Sequence, residues 1–178
     1  MIEQVDKIIN RGFYFIPLLK KAKNNRDSDF LTRDYTKEDL IPGGNLGINP
    51  KKSGVAVIDL DSELAIKFGN KWLPKNTLIG GREYPNGRTE RTHWYFKNGD
   101  ASTENIKNLP AELYKDHNIV AFGTTIHKET KEPMKRYWVN DEPLLPFTED
   151  VLEIFNLINF SSKIGEHITS CNKGGLLL

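Results

Sequence analysis

The sequence predicts an α/β domain, and three observations support this fold class. Short apolar segments rich in β-branched and aromatic residues alternate along the chain with segments of helical periodicity. The strand predicted over residues 55–60 is followed at once by the helical spacing of residues 63–72, with acidic residues at the junction. The chain has 178 residues, of which 38% are apolar, and this is enough for a packed core. We therefore expect a mixed sheet that is flanked by helices.

The first third of the chain carries the signals of a smaller α/β portion. Residues 2–9 have apolar side chains at helical spacing, and a strand is predicted over residues 13–19. Residues 20–29 form a polar, basic loop, and a helix start is expected near Thr36. A short strand over residues 46–49 and a hairpin-like turn over residues 50–54 follow.

The remaining elements are predominantly predicted strands. They lie at residues 77–79, 92–96, 111–114, 119–126 and 136–139, and residues 103–109 form a polar connection or a short helix. A final helix is expected to begin at residues 148–150 and to end near Phe160. We expect one catalytic domain over residues 1–160, with residues 161–178 as a linker or the truncated start of a C-terminal region.

Charge and cysteine content exclude several classes of protein. The 25 basic and 24 acidic residues give a net charge of +1, so any binding of nucleic acid depends on local patches. A single cysteine forms no internal disulfide, and we expect a reducing, cytoplasmic setting because no signal peptide or long apolar segment is found. The four histidines and the cysteine lie at scattered spacings, which are not those of a zinc site.

Two aspartates mark the end of the predicted strand over residues 55–60. Side chains two residues apart project from the same side of a strand, so Asp59 and Asp61 lie together while Leu60 faces the core. Two adjacent carboxylates repel each other unless they share a proton or a cation. The pair therefore predicts a site for a divalent metal ion with oxygen ligands.

A histidine lies on the hairpin predicted over residues 77–97. His93 and Tyr95 share one face of their strand, and Trp94 and Phe96 share the other, which we expect to pack inward. Three arginines, Arg82, Arg88 and Arg91, surround His93 in the sequence. Guanidinium groups match phosphate oxygens and imidazole adds one more hydrogen bond, so this group indicates a triphosphate site.

The order of these motifs resembles a known family. Asp59-Leu60-Asp61, then Thr92-His93, then Ala111-Glu112 resemble the three motifs of the archaeo-eukaryotic primase superfamily, in particular the primase-polymerase (prim-pol) domains of plasmid, phage and mobile-element replication proteins. The flanking segments resemble it as well: Gly12-Phe13 with Pro17, Tyr35-Thr36 with Asp39, Gly44-Asn45-Leu46-Gly47-Ile48, Thr125-Ile126-His127 and Tyr137-Trp138. The resemblance covers about residues 1–150.

This resemblance implies a fold, a reaction and a set of site residues. It implies a largely antiparallel, RRM-like catalytic sheet and a DNA primase/polymerase that uses Mg²⁺ or Mn²⁺ in a two-metal site. Asp59, Asp61 and Glu112 would hold the metal ions and His93 the phosphates of the nucleotide. The other nucleotide-binding residues it implies are Arg91, Arg88, Thr92, Asn45, Thr125 and His127. The implied partners are a single-stranded DNA template, an NTP or dNTP, and a helicase region that follows this domain.

The sequence departs from the family pattern at two places. The third acid is Glu112 where Asp is common, and Asp116 is a rival for this position. The loop before His93 carries Arg and Glu residues where glycines are more usual.

Three other functions remain open from the residues alone. A glycosyltransferase also places Asp-x-Asp after an apolar strand, although it does not explain Thr92-His93 or Glu112. A haloacid-dehalogenase-type phosphatase begins in a similar way but has Thr or Val where this chain has Glu63. A non-catalytic RRM-like domain would instead stack bases on exposed aromatic rings, with Trp94, Tyr95 and Phe96 as candidates.

Overall fold

A computed structural model describes residues 1–23, 27–97 and 105–174 of the chain. The helices are α1 (Ile2–Asn10), α2 (Pro50–Ser53), α3 (Glu63–Trp72) and α4 (Glu149–Gly174), with a 3₁₀ turn at Lys37–Asp39. The strands are β1 (Phe15–Leu18), β2 (Asn45–Ile48), β3 (Val55–Leu60), β4 (Ile79–Glu83), β5 (Thr89–Lys97), β6 (Ala111–Tyr114), β7 (Ile119–Ile126), β8 (Pro133–Trp138) and β9 (Leu145–Pro146). Over the described ranges, no helix combines the length and the apolar character that crossing a membrane requires.

The described strands form one sheet, and its order places the acidic strand β3 near one end. The order is β1-β2-β7-β8-β4-β5-β3-β6, with every neighbouring pair antiparallel, and β9 pairs in parallel with β5. The predicted mixed α/β class is therefore confirmed, and the hairpin of β4 and β5 forms as expected.

The two faces of the sheet pack into different parts of the core. On one face, Ile58, Leu60, Trp94 and Phe96 are fully buried in a cluster that includes Phe155 of α4. On the other face, Val55, Val57 and Tyr95 pack in a second cluster with Val5 and Ile8 of α1. This division follows from the two-residue period of a strand. It confirms that Leu60 faces the core and that Trp94 and Phe96 share the inward face.

The prediction of a hairpin-like turn at residues 50–54 is wrong, because these residues begin a short helix. The side chain of Asn49 caps α2 by accepting a hydrogen bond from the Lys52 backbone N–H at 3.1 Å. Pro50 occupies the first helical position, where its missing N–H has no cost, and the left-handed Gly54 ends the helix.

The prediction that the last helix ends near Phe160 is also wrong, because α4 continues to Gly174. Ser162 is fully buried, and a Cβ atom at Gly165 would lie 2.7 Å from the Leu64 side chain. The absence of a side chain at Gly165 therefore lets α4 pack closely against α3 instead of ending. Residues 161–174 are helical, while residues 175–178 of the predicted linker lie outside the described residues.

Two other predicted segments are described only in part. Residues 24–26 of the predicted basic loop and residues 103–104 of the predicted connection lie outside the described residues. Within the remainder of that connection, Ile106 forms an isolated antiparallel bridge with Leu113 of β6.

Candidate active site

Three of the predicted site residues form one row across three neighbouring strands. Asp59 of β3 lies directly opposite His93 of β5 on one side and Glu112 of β6 on the other. Residues that face each other in an antiparallel ladder project from the same face of the sheet. The register therefore brings an imidazole and two carboxyl groups to one face, although they are far apart in the sequence.

Asp59 and His93 form a buried pair. The Nε2 atom of His93 lies 3.1 Å from Oδ1 of Asp59, and the two residues are only 4% and 7% exposed. Burial lowers the pKa of His93, so we assign a neutral ring that donates its Nε2 hydrogen to Asp59. Burial alone would raise the pKa of Asp59, but His93 and the positive charges of Arg136 and Lys23 outweigh it, and the pKa lies below the usual range. Asp59 is therefore a carboxylate at neutral pH.

Asp61 lies just beyond the end of β3. Its backbone N–H donates to the carbonyl of Pro110 at 2.9 Å, which fixes the chain next to the start of β6. The loss of solvent around the carboxyl group and the negative charge of Asp59 raise the pKa of Asp61 to about 6. The pKa of Asp61 thus responds to the negative charge of Asp59, two residues earlier in the chain.

Glu112 is oriented by its own neighbourhood. One carboxylate oxygen accepts a hydrogen bond from the Asn108 backbone N–H at 2.6 Å, and the other accepts from the hydroxyl group of Tyr114. Asp116, the rival third acid, lies beyond the end of β6 with its side chain 51% exposed and bound to His117 at 2.9 Å. Only Glu112 of these two occupies the strand position opposite Asp59.

A β-bulge places Thr92 beside this row. Gly80 of β4 faces His93 and Gly81 faces Arg91, so Thr92 is an extra residue in β5. Such a residue interrupts the alternation of faces and can turn its side chain toward a site. The hydroxyl of Thr92 accepts a hydrogen bond from Arg136 Nη1 at 3.1 Å, and both residues are buried.

Arg136 of β8 is a central residue of the site that the sequence analysis did not identify. It is 4% exposed, its Nε donates to Thr125 at 3.3 Å, and its Nη1 lies 3.5 Å from His93 Nε2. Burial lowers the pKa of this guanidinium, while Asp59 opposes that change. A basic residue inside a predicted strand was the available signal, because a buried arginine requires polar partners.

Three of the predicted nucleotide-binding residues bind other parts of the chain. The Asn45 side chain donates to the carbonyls of Ala22 and Thr124, both at 2.8 Å, and so ties the loop after β1 to β7. Thr125 holds Arg136. The ring of His127 accepts from the backbone N–H groups of Glu129 and Thr130 at 3.3 and 3.1 Å and orders the β7–β8 turn.

The predicted arginine group divides in the structure. Arg82 binds Glu90 at 2.5 Å, and Arg88 lies with its guanidinium 4.0 Å from the ring centre of Tyr84. Arg91 is exposed at the start of the bulge. Arg136 is therefore the arginine that lies beside His93, whereas Arg82 and Arg88 bind partners on their own hairpin.

A cleft of about 210 Å³ opens onto Asp59 and His93 of this row, and we call it the acidic cleft. Asp59, His93 and Arg136 line it, and Lys23, Tyr114 and His117 form other parts of its wall. Lys23 and Tyr114 were also not identified from the sequence, because neither belongs to a recognisable motif.

The carboxyl groups at and beside the acidic cleft are suitable ligands for a divalent metal ion. Carboxylate oxygens are the preferred ligands of Mg²⁺ and Mn²⁺, and the charge of Asp59 contributes to the raised pKa of Asp61, so the two carboxyl groups lie within electrostatic reach of each other. As they are arranged, the described His, Cys, Asp and Glu residues include no group of three that could hold a metal. Asp59 and Asp61 are the two carboxyl groups that could hold a divalent ion, and Glu112, which lies opposite Asp59 on β6 but is bound to Asn108 and Tyr114, is the third candidate.

The three aromatic residues proposed as an alternative base-stacking surface are not available for that role. Trp94, Tyr95 and Phe96 are each fully buried.

A comparison with models of known protein families finds no match for the chain, and a comparison with curated proteins finds none either.

Proposed function

We propose that this chain is a metal-dependent nucleotidyltransferase that copies a nucleic-acid template, as a primase, a polymerase or both. The observation that carries the proposal is the row of Glu112, Asp59 and His93 on adjacent strands, with Arg136 buried beside it. The ordered resemblance to the prim-pol motifs supports the same reaction. Phosphoryl transfer depends mainly on positioning and charge neutralisation, and this row provides groups for both.

The acidic residues would hold the ions that the reaction needs. Asp59, Asp61 and Glu112 would bind Mg²⁺ or Mn²⁺, which when bound lowers the pKa of an attacking 3′-hydroxyl and neutralises the leaving pyrophosphate. The buried ladder fixes Asp59 in one position, since its strand pairs on both sides. Asp61 follows the strand end and is exposed at the surface, so an ion can reach it, although neighbouring groups remove part of the solvent around its carboxyl group.

The cationic side of the cleft would bind the triphosphate. Arg136 has two threonine partners that hold its planar guanidinium, and a fixed guanidinium matches the geometry of phosphate oxygens. His93 lies between Arg136 and Asp59 and is positioned to donate a hydrogen bond to a phosphate once Asp59 binds a cation. Thr92 and Thr125 then act through Arg136 as positioning residues.

The exposed residues named from the sequence remain predictions of direct nucleotide contact. Arg91 and Arg88 make no contact with His93 among the described contacts. A triphosphate bound at His93 would therefore have to extend along the hairpin to reach them. Asn45 and His127 would act indirectly, by ordering the loop after β1 and the β7–β8 turn.

A primer-extension assay tests the proposal. The protein is incubated with labelled nucleotides, a single-stranded template and Mg²⁺ or Mn²⁺, and we expect longer labelled polymers. Asp59→Asn should abolish them, and Asp150→Asn, an exposed acid at the start of α4, is the matched control. Hydrolysis of a sugar nucleotide or of small phosphate esters without polymer formation would instead favour a glycosyltransferase or a phosphatase.

A further inference from the structure

A second and larger cleft opens where the sheet divides. Strands β7 and β8 pair from Ile126 and Pro133 back to Gly123 and Arg136. Beyond that pair β7 continues against β2, whereas β8 continues against β4. A cleft of about 790 Å³ lies at this separation, beside the first turns of α1, and we call it the seam cleft.

The backbone at the separation point is held in a special conformation. Gly123 has φ +116°, and a Cβ atom there would lie 2.2 Å from Oδ1 of Asn45. Only glycine adopts this conformation readily and leaves room for Asn45. The division of the sheet is therefore built into the sequence, since the same Asn45 binds the backbone of Thr124 on β7.

The lining of the seam cleft combines positive charge with aromatic surface. The cations are Lys7, Lys135 and Arg136, and the aromatic residues, each partly exposed, are Phe122, Tyr137 and Trp138. The acid on this wall, Asp141, is bound by Arg11 through Nε at 3.1 Å. The lining also keeps one buried polar atom without a partner, Oε1 of Gln4.

These features match the chemistry of a nucleotide. Phosphate pairs with lysine and arginine, and a base stacks on aromatic rings without regard to its sequence. The edges of a base carry hydrogen-bond donors, and Oε1 of Gln4 is an acceptor that has no partner within the chain. The volume is in the range of sites that enclose a small ligand.

We propose that the seam cleft binds one nucleotide unit, with its phosphate near Lys7 and Lys135 and its base against the aromatic lining. Arg136 lines both clefts, so a ligand in the seam cleft lies next to the acidic cleft. The unit is either part of a single strand or a free nucleotide. The role of such a strand as a template rests on the proposed function, whereas binding itself does not.

Fluorescence anisotropy tests this inference on the full chain, without added metal. The probes are a labelled single-stranded 12-mer of thymidine and a labelled adenosine mononucleotide. The double variant Lys7→Glu/Lys135→Glu should raise the Kd for the bound probe by about 10-fold and reduce its salt dependence. Tyr137→Ala should raise the same Kd by about 5-fold. Lys51→Glu/Lys71→Glu, two exposed lysines on α2 and α3, is the matched control and should leave the Kd near that of the wild type.

The outcomes separate the two sources of ligand and separate this inference from the proposed function. Tight binding of the 12-mer alone identifies a strand, and binding of the mononucleotide with competition by the 12-mer identifies a nucleotide site that both share. Equal Kd values for the wild type, both lysine double variants and Tyr137→Ala would overturn the inference. If the wild-type chain binds the probes through the seam cleft but makes no polymer, the proposed function fails while this inference stands. Circular dichroism and thermal unfolding verify that each variant is folded.

Discussion

The acidic cleft and the seam cleft share Arg136 but are built in opposite ways. In the acidic cleft, Asp59, His93 and Arg136 are buried and contact one another, and strand register determines their positions. In the seam cleft, Lys7 and Lys135 are exposed, and the site exists because two strands separate. Groups that take part in a reaction need fixed positions, whereas groups that hold a polyanion only need to be accessible. The comparison predicts that substitutions in the first cleft reduce turnover and those in the second reduce binding.

The largest expected effect is on turnover when Asp59 loses its charge. Asp59→Asn keeps the shape of the side chain but removes the charge of a proposed metal ligand, so under the proposed function the rate of incorporation should fall by on the order of 100-fold or more. The measurement is labelled-nucleotide incorporation at saturating template. The Kd for a single strand should not change. Normal incorporation by Asp59→Asn would show that the acidic cleft has another role.

Substitution of the shared residue should affect both clefts. Arg136→Lys keeps the positive charge but loses the planar group that binds Thr92 and Thr125, so the KM for the nucleotide should rise by about 10-fold. Steady-state kinetics with varied nucleotide concentration measures this change. Arg88→Lys is the control, because Arg88 lies over Tyr84 on its hairpin. If Arg88→Lys raised KM as much as Arg136→Lys, direct binding of phosphate by Arg88 would be the better assignment.

The affinity of the acidic cleft for metal ions should also fall below neutral pH, whereas the binding of a nucleotide to the seam cleft should not. The pKa of Asp61 is raised to about 6 by desolvation and by Asp59, with Glu112 adding to the effect and Lys23 and Arg136 opposing it. A proton therefore competes with the ion, and affinity for Mn²⁺ should fall by about 10-fold between pH 7 and pH 5. Titration calorimetry with Mn²⁺ at several pH values measures this change.

The same shift gives a stability change of known sign in the metal-free protein. Because the pKa of Asp61 is higher in the folded chain than its ordinary value of 3.8, the folded chain binds the proton more tightly than the unfolded chain does. The stabilisation from Asp61 is fully present below about pH 4 and is lost as the pH rises through 6. Urea denaturation of the metal-free protein at several pH values measures this change in stability. Asp61→Asn should remove this part of the pH dependence, both in the free energy of unfolding and in Mn²⁺ affinity. An unchanged pH profile would contradict the assignment.

The smallest expected effect on turnover comes from substitution of Asn45, which ties the loop after β1 to β7. Asn45→Ala removes hydrogen bonds to Ala22 and Thr124, so the free energy of unfolding should fall by about 1–3 kcal/mol. Urea denaturation measures this loss. Incorporation by the folded variant should change by no more than about twofold if Asn45 only supports the loop and β7. A large rise in KM with little loss of stability would show that Asn45 contacts the nucleotide.

Two residues of the acidic cleft, Asp59 and His93, could be predicted because their signals are local. The spacing of Asp59, Leu60 and Asp61 determines which side chains share a face, and so does the alternation from His93 to Phe96. The turn at residues 50–54 was predicted wrongly because Pro50 and Gly54 are typical of turns as well as of helix ends. Arg136 was missed because its partners, Thr92 and Thr125, lie 44 and 11 residues away and Thr92 reaches it through a bulge that no local pattern shows.

By itself, the sequence determined the α/β class, the faces of the two strands that lead to Asp59 and His93, and the chemical types that could form a site. These properties depend on side chains a few residues apart, whose relative positions follow from the period of a strand or helix. Only the tertiary structure decided that Asp59 lies between His93 and Glu112, and that β7 and β8 separate at Gly123. Register and separation depend on how distant strands pack around a shared core, and local periodicity does not contain that information.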